Sequence, residues 1–495
     1  IITGSVPSYV KGSLFRNGPA KYQFGKYKMR HLFDGMGAIQ RWTIEGNSVT
    51  YQRKFVKSDA FIRNSEANRI VVGEFGTREV PDPCKNIFQR FFSTFVPPSL
   101  TDNTAVTVWP QGDRVFASTE THIIHEIDPQ TLDTIGSVNL PKLLAINQAT
   151  AHTHWTEDGT IYCIGLFYKG KTKHCVVEIP PKQDKEDSFK HIRIAGETFC
   201  RWKMHPGYIH SFSITENYFV YPEQTLTWSI PWLASMPLHN RSIKDTFAWY
   251  PNEKTIFQII SRKTGKPVKT TYTGVSQFTF HHVNAYEDNG HLILDITAYK
   301  NADVIHYGYM ENFTEKKISK RLKENGVFGE VRRFVFPLNI TEETPMNENL
   351  VKLKGCNATA KRISEHEVFC QYELLYGEGF ELAMVNYLKY NGRKYKYAYG
   401  VGDHFQTLVK LNVEGKNSKV WKPDQGLVSE PIFIPNPEEK SEDDGIILSP
   451  VKTYGRDDRP YLIVLDGKTF SEVARVEFDT SRFSIDFHGF FRSSL

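Results

Sequence analysis

The 495-residue sequence predicts an all-β protein and, among all-β architectures, a propeller. Strand-like apolar runs follow turn clusters along the chain. Thr160–Tyr168 (TIYCIGLFY), His291–Tyr299 (HLILDITAY), Gly445–Ser449 (GIILS) and Tyr461–Leu465 (YLIVL) come after EDG, EDNG, EDD and DDRP. Asp, Asn, Gly and Pro tolerate tight-turn geometry, so each pair reads as a turn feeding a strand. A hairpin signature also recurs at wide intervals. IDPQT from Ile127, ISRKT from Ile260 and LDGKT from Leu465 share an apolar residue, a capping Asp or Ser, two turn residues and Thr. Each has a further apolar residue four positions on, at Ile135, Val268 and Val473. Wide recurrence suits blades better than a single barrel.

Composition narrows the class. Hydrophobic residues make up 40% and charged residues 24%, an ordinary globular balance that excludes a disordered chain. The 34 Phe and 24 Tyr suit a β-rich core, and an aromatic-lined apolar cavity is the sharper reading. A net charge of +5 is too small to imply a nucleic-acid partner. The six cysteines form no CxxC pair, which points to a reducing cytosol rather than a disulfide framework. No apolar run of about 18 residues predicts a membrane-spanning helix. No composition shift marks a boundary, so residues 1–495 are expected to form one domain.

Two segments stand apart from the strands. Cys84–Phe95 (CKNIFQRFFSTF) places Phe88, Phe91, Phe92 and Phe95 at helical spacing among Lys85 and Arg90. It reads either as a short helix on the core or, with its flank to residue 98, as a helix lying in a membrane interface. The apolar loop Thr227–Leu238 carries Trp228, Trp232, Leu233 and Met236. It reads either as packed on the core or as a second interfacial contact, since Trp favours that zone.

Histidines carry the chemical signal. His152 (ATAHTHW), His210 (GYIHSFSIT), His281 or His282 (FTFHHVNAY) and His488 (DFHGFF) sit in apolar, strand-like surroundings spread over most of the chain. A single histidine of this kind is usually a hydrogen-bonded core residue. In a propeller the innermost strands surround one channel, and one His from each of four blades can meet there. Imidazole suits Fe, Zn, Cu or Ni. Four neutral imidazoles on an octahedral ion leave two open positions, which fits an oxidation site better than a closed structural zinc site. Ligating imidazoles need the other ring nitrogen held, often by a carboxylate. Glu120 (ASTETHI), Glu381 (GFELAMVNY) and Glu430 (VSEPIFI) are lone acids in mostly uncharged stretches. Each is either an exposed strand residue or a buried acid with an imidazole N–H as its partner.

In these motifs the chain resembles the carotenoid cleavage oxygenase family, in particular its animal branch. That branch holds the β-carotene oxygenases, the retinoid isomerohydrolase and the insect isomerooxygenases. The resemblance runs from GSLFRNGP (Gly12–Pro19) through HLFDGMG (His31–Gly37), EANRIVVGEFGT (Glu66–Thr77) and PDPCKNIF (Pro81–Phe88). It continues through TDN (Thr101–Asn103), SEPIF (Ser429–Phe433) and EDDGIILS (Glu442–Ser449) to FHGFF (Phe487–Phe491).

The resemblance implies a seven-bladed propeller with a helical and loop cap over an axial Fe(II). It implies His152, His210, His281 and His488 as iron ligands. The carboxylates behind them are Glu120, Glu381 and Glu430, with none behind His152. The family motif Phe-His-x-x-Asn-Ala maps onto Phe280–Ala285 and selects His281 over His282. By strand alternation Thr279, Val283 and Ala285 then share the face of His281, and Phe280, Asn284 and Tyr286 that of His282. Phe75 and Thr119 resemble positions near substrate, and Cys84 a palmitoylation site.

FHHVNAYED and GKTK (Gly170–Lys173) read closest to the carotenoid-cleaving members. The implied activity is cleavage of the central 15,15′ double bond of a carotenoid with O2, giving retinal-type aldehydes. Coupling to isomerisation of one half from all-trans to 11-cis is a further expectation. The implied setting is cytoplasmic and peripheral to a membrane. The alternatives are a retinyl ester isomerohydrolase, with the same iron as Lewis acid, and a carotenoid-binding propeller without turnover.

Overall fold

The computed structural model describes the chain except residues 47, 82–83, 85–100, 169, 183–186, 237–240, 315–317, 455–458, 481–482 and 495. Its strands form seven sheets of four to six strands, the blades of a propeller, together with two small two-stranded ribbons. In chain order the blades are built on residues 11–55, 107–139, 148–199, 213–274 with 359–371, 282–337 with 373–376, 381–421 and 427–477.

Both chain ends close the ring. The strand Ile2–Gly4 pairs antiparallel with Glu472–Glu477 at the outer edge of the last blade. The strand His488–Ser493 pairs with Lys11–Lys21 and becomes the innermost strand of the first blade. The two backbones approach so closely there that a Cβ on Gly489 would lie 1.9 Å from the Phe15 carbonyl oxygen. Only glycine fits such an approach.

The core lies in the seams between blades. Val220, Phe257, Leu292 and Phe334 interdigitate between the fourth and fifth blades. Leu14, Trp42, Leu448 and Leu462 do so between the seventh and first. Each such side chain contributes about 1.5–3 kcal/mol of burial. The blades are thus held mainly by apolar contact, while hydrogen bonds hold each blade together.

The recurring hairpin signature has one structural meaning. In all three copies it joins the third and fourth strands of a blade. Asp128 Oδ1 accepts the N–H groups of Gln130 and Thr131 at 2.8 and 2.7 Å. Asp466 does the same for Lys468 and Thr469, at 3.1 and 2.6 Å. Ser261 Oγ accepts Thr264 N–H at 3.3 Å. Four residues after each cap the backbone turns left-handed, at Leu132 (φ 61°), Gly265 (φ 66°) and Phe470 (φ 62°). The sixth blade holds a fourth copy, with Asn412 as cap and Lys416 at φ 52°. Sequence reading misses it because its cap is Asn and no Thr follows three residues later.

A cap covers one end of the ring. His31 bridges to Tyr309, Lys244 N–H donates to the Phe75 carbonyl, and the His31 and Phe75 rings meet at 5.1 Å. The short helices Ile230–Ser235 and Asp303–Tyr307 belong to its segments. Among the described residues no helix is long and apolar enough to cross a membrane.

Candidate metal centre

Six of the seven innermost strands present a histidine or glutamate at their start or at a break in their pairing. His152 lies between the short strands Gln148–Ala149 and His154–Trp155 of the third blade. His210 precedes Ser213–Ile214, and His281 directly precedes His282–Asp288. Glu381 opens Glu381–Met384, Glu430 lies between Leu427–Val428 and Ile432–Pro435, and His488 opens the terminal strand. Glu120 comes from the turn after the strand Arg114–Ser118 of the second blade. A strand end can aim its side chain at the axis, whereas a residue within the ladder must point into a seam.

The four histidines meet. One ring nitrogen from each of His152, His210, His281 and His488 lies within 4.8 Å of the other three. His210 Nε2 is 3.0 Å from His152 Nε2 and 3.2 Å from His281 Nε2. Behind them stand the carboxylates. His210 Nδ1–H donates to Glu120, His281 Nδ1–H to Glu381, and His488 Nδ1–H to Glu430 at 2.8 Å.

This second contact sets the tautomer. A neutral ring with its proton on Nδ1 turns an Nε2 lone pair to the centre. Two lone pairs 3.2 Å apart, as on His210 and His281, repel unless a cation lies between them. Protonation is not the remedy the site favours. Burial holds His210 below the usual imidazole range against the pull of Glu120, and brings His488 down to about 4 against Glu430. Burial and the neighbouring imidazoles push His152 well below it. The donor set therefore suits a metal cation of the type that imidazole ligates.

The carboxylates are themselves anchored. Burial alone would raise Glu381, but His281, the Leu382 N–H and the Tyr299 hydroxyl together hold it below the ordinary range. Tyr299 donates to Glu381 at 2.8 Å, and Tyr208 donates to both oxygens of Glu120 at 2.7 and 2.9 Å. Arg16 donates to Glu430 at 2.7 Å and to Asp486 at 2.5 Å from a fully buried position. The Leu382 backbone is left-handed (φ 48°), a strained turn beside Glu381. Sequence reading did not assign roles to Tyr208, Tyr299, Arg16 and Asp486. Their signal was at hand: Tyr208 and Asp486 lie two residues before His210 and His488, and Arg16 lies inside GSLFRNGP.

His282 points away from the centre and meets Ser213 Oγ at 2.8 Å. The alternation expected for the next residues is corrected. Pairing skips a register between His282 and Asn284, which leaves Val283 as a bulge. Beyond it, Asn284 donates to the carbonyls of Tyr390 and Arg393, and Tyr286 and Val283 pack toward the sixth blade, on the Glu381 side. Ala285 packs instead in the seam with the fourth blade. An extra residue moves every later side chain to the opposite face.

The centre opens onto aromatic rings. Phe280 lies 4.9 Å from His210, and Phe33 lies 6.1 Å from Phe280, 5.8 Å from Phe487 and 5.7 Å from Phe75. Phe75 is thus linked to the centre through Phe33. Thr119 is half-buried beside Glu120. Cys84 is exposed, and residues 85–98 of the expected interfacial segment lie outside the described residues. The loop at 227–238 divides: Trp228 and Met236 are buried, while Trp232 is exposed beneath the Arg241 guanidinium at 5.0 Å.

The family model described as retinal pigment epithelial membrane protein (RPE65) matches residues 1–493. A human beta,beta-carotene 15,15'-dioxygenase is 36% identical over 100% of this chain and 92% of its own length. The chicken protein of that name is 37% identical over 99% and 94%. A ferret protein named carotenoid-cleaving dioxygenase, mitochondrial, is 35% identical over 99% and 93%. Among solved structures, a Synechocystis ACO mutant superposes with a TM-score of 0.78 at 22% identity, covering 100% of this chain and 95% of that one. An ACO/RPE65 chimera gives the same values. These likenesses in structure bear on the fold, which is the seven-bladed propeller expected from the sequence. With the match running over nearly the whole length, the chain belongs to the RPE65 family of carotenoid oxygenases.

Proposed function

We propose that the protein is an Fe(II)-dependent dioxygenase that cleaves the central 15,15′ double bond of a carotenoid with O2 to give retinal-type aldehydes. The observation that carries this reading is the convergence of four imidazoles, three with their outer nitrogen on a glutamate. The names of the relatives at 35–37% identity support the substrate class and the bond.

His152, His210, His281 and His488 would hold the iron, which supplies the redox chemistry that adds the two atoms of dioxygen across the double bond. The chain's own residues prepare that chemistry. Glu120, Glu381 and Glu430 keep the protons on Nδ1, so the inner nitrogens stay available and the rings stay oriented. Tyr208, Tyr299 and Arg16 hold the carboxylates in turn. Phe33, Phe280 and Phe487 exclude water, and their negative ring faces stabilise positive charge that develops on a polyene. Phe75 and Thr119 would contact substrate farther out. Peripheral membrane contact through 84–98 and 227–238, with acylation of Cys84, would deliver an apolar substrate. Trp232 supports the second contact by its exposure.

The test is anaerobic loading with Fe(II), then incubation with all-trans zeaxanthin or β-carotene with and without O2, the products being resolved by isomer. Oxygen-dependent retinal or hydroxyretinal is expected, and an equimolar 11-cis half would add coupled isomerisation. Release of cis-retinol from a retinyl ester without O2, and no carotenoid cleavage, would overturn the reading in favour of an isomerohydrolase. Carotenoid binding without turnover by the iron-loaded chain would overturn it in favour of a binding protein.

A further inference from the structure

In the seam between the third and fourth blades, His174, Cys200 and Glu223 bring one imidazole nitrogen, one sulfur and one carboxylate oxygen within 4.8 Å of one another. His174 comes from the strand Lys173–Ile179, Cys200 directly follows the strand Arg193–Phe199, and Glu223 ends the strand Tyr218–Glu223. His174 and Glu223 are each only 2% exposed. None of the three takes part in the four-histidine centre.

Two buried polar atoms beside this cluster have no partner: His174 Nδ1 and Tyr221 Oη. His174 Nε2–H donates to the Gly207 carbonyl at 3.2 Å, which leaves the lone pair on Nδ1. The Tyr221 ring packs edge-on against that imidazole at 5.6 Å. A buried lone pair without a donor is unfavourable, and such an orphan points to a missing ion or water.

We propose that His174, Cys200 and Glu223 form a second metal site that takes a borderline-soft divalent cation of the zinc class. Nitrogen, sulfur and carboxylate oxygen are the zinc donor types, and the thiolate disfavours Mg2+ and Ca2+. The charges close. One thiolate and one carboxylate balance the 2+ ion, and the imidazole remains neutral, so the unit suits a buried seam. Without an ion, burial and the charge of Glu223 keep the Cys200 thiol protonated. Binding forms the metal–sulfur bond and releases that proton to solvent.

The surroundings match what ligating groups require. Glu223 also accepts the Arg201 backbone N–H at 2.7 Å and the Gln258 side-chain N–H at 2.9 Å. His174 is oriented by Gly207, one residue before Tyr208, whose hydroxyl holds Glu120. Three protein ligands leave one tetrahedral position for a water. The site would tie the chain leading from Cys200 to His210 to the third strand of the third blade and the second strand of the fourth, a structural role.

The test is a Co2+ titration of the chelator-treated full chain without oxygen. A thiolate bound to Co2+ gives an intense near-ultraviolet charge-transfer band, and imidazole and carboxylate do not, so the four-histidine centre is silent there. The band is expected to saturate at one thiolate-bound ion per chain, reached by one added Co2+ in His281→Ala and by up to two in the wild type, and to survive Cys175→Ser. Cys200→Ser should abolish it, and His174→Gln should weaken binding roughly tenfold or more. No band in the wild-type chain at saturating Co2+ would overturn the proposal and leave a buried water as occupant. A band that survives Cys200→Ser would overturn it too. The wild-type titration decides the point even where a variant fails to fold, and the His281→Ala arm separates it from the fate of the iron reading.

Discussion

His210 and His281 face each other with Nε2 atoms 3.2 Å apart, and each is pinned from behind by a glutamate, Glu120 or Glu381. The arrangement is repulsive for two neutral rings and favourable once a cation sits between them. The glutamates matter because they choose which nitrogen carries the proton.

Glu381→Gln should therefore lower Fe(II) affinity by about 10- to 100-fold. An amide can donate to Nδ1 and drive the proton onto Nε2, where it blocks ligation. Tyr299→Phe removes only one hydrogen bond to the same carboxylate and should weaken binding less. Anaerobic Fe(II) titration of both variants checks the order. Equal affinities in Glu381→Gln and wild type would remove the tautomer argument.

Arg16 is fully buried between Glu430 and Asp486. Arg16→Met leaves two carboxylates in the seam without their cation, and should destabilise the fold by about 3–5 kcal/mol. Denaturant unfolding measures it. Loss of metal content at unchanged stability would instead mean that Arg16 serves Glu430 alone.

His31 is buried in the cap, donates Nε2–H to the Ile305 carbonyl, and is brought down to about 4 mainly by burial. In the unfolded chain a histidine takes its proton near 6.5. Between these values the unfolded state binds more protons, so stability falls as pH falls from about 6.5 to about 4, by about 3 kcal/mol from this residue. His31→Gln should flatten the stability–pH curve by that amount over that window. A curve with unchanged slope would show that His31 does not titrate on unfolding.

The hairpin caps make separable contributions. Asp466 accepts from Lys468 N, Thr469 N and Thr469 Oγ1. Asp466→Ala should destabilise by about 1–3 kcal/mol. Gly265→Ala puts a Cβ 2.8 Å from the Ala195 carbonyl oxygen at φ 66°, and should destabilise by about 1–3 kcal/mol. Thermal unfolding of each variant checks both. A variant as stable as wild type would show that the turn repacks.

Much of the fold was legible because local chemistry writes it. Turn clusters, a capping Asp or Ser and a recurring spacing mark hairpins without reference to anything distant. The histidines were legible as candidates because each sits in an apolar stretch that would otherwise hold no imidazole. Two adjacent histidines were harder. Alternation said that His281 and His282 point apart, and the family motif chose between them. The residues beyond went wrong because a bulge at Val283 has no local signature.

By itself, the sequence determined the all-β class, the blade hairpins and a short list of candidate histidines and lone glutamates, from which the family resemblance selected His281 and the three carboxylates. The class, the hairpins and the candidates follow from short-range pattern and residue chemistry. Tertiary structure alone decided which groups meet. It paired His210 with Glu120 across 90 residues and His281 with Glu381 across 100. It also brought His174 to Cys200 and Glu223, and set Tyr208, Tyr299 and Arg16 behind the carboxylates. The physical reason is ring closure. The strand His488–Ser493 pairs with Lys11–Lys21 and closes the ring on which the innermost strand ends converge, so contacts at the axis join positions that the linear chain keeps far apart.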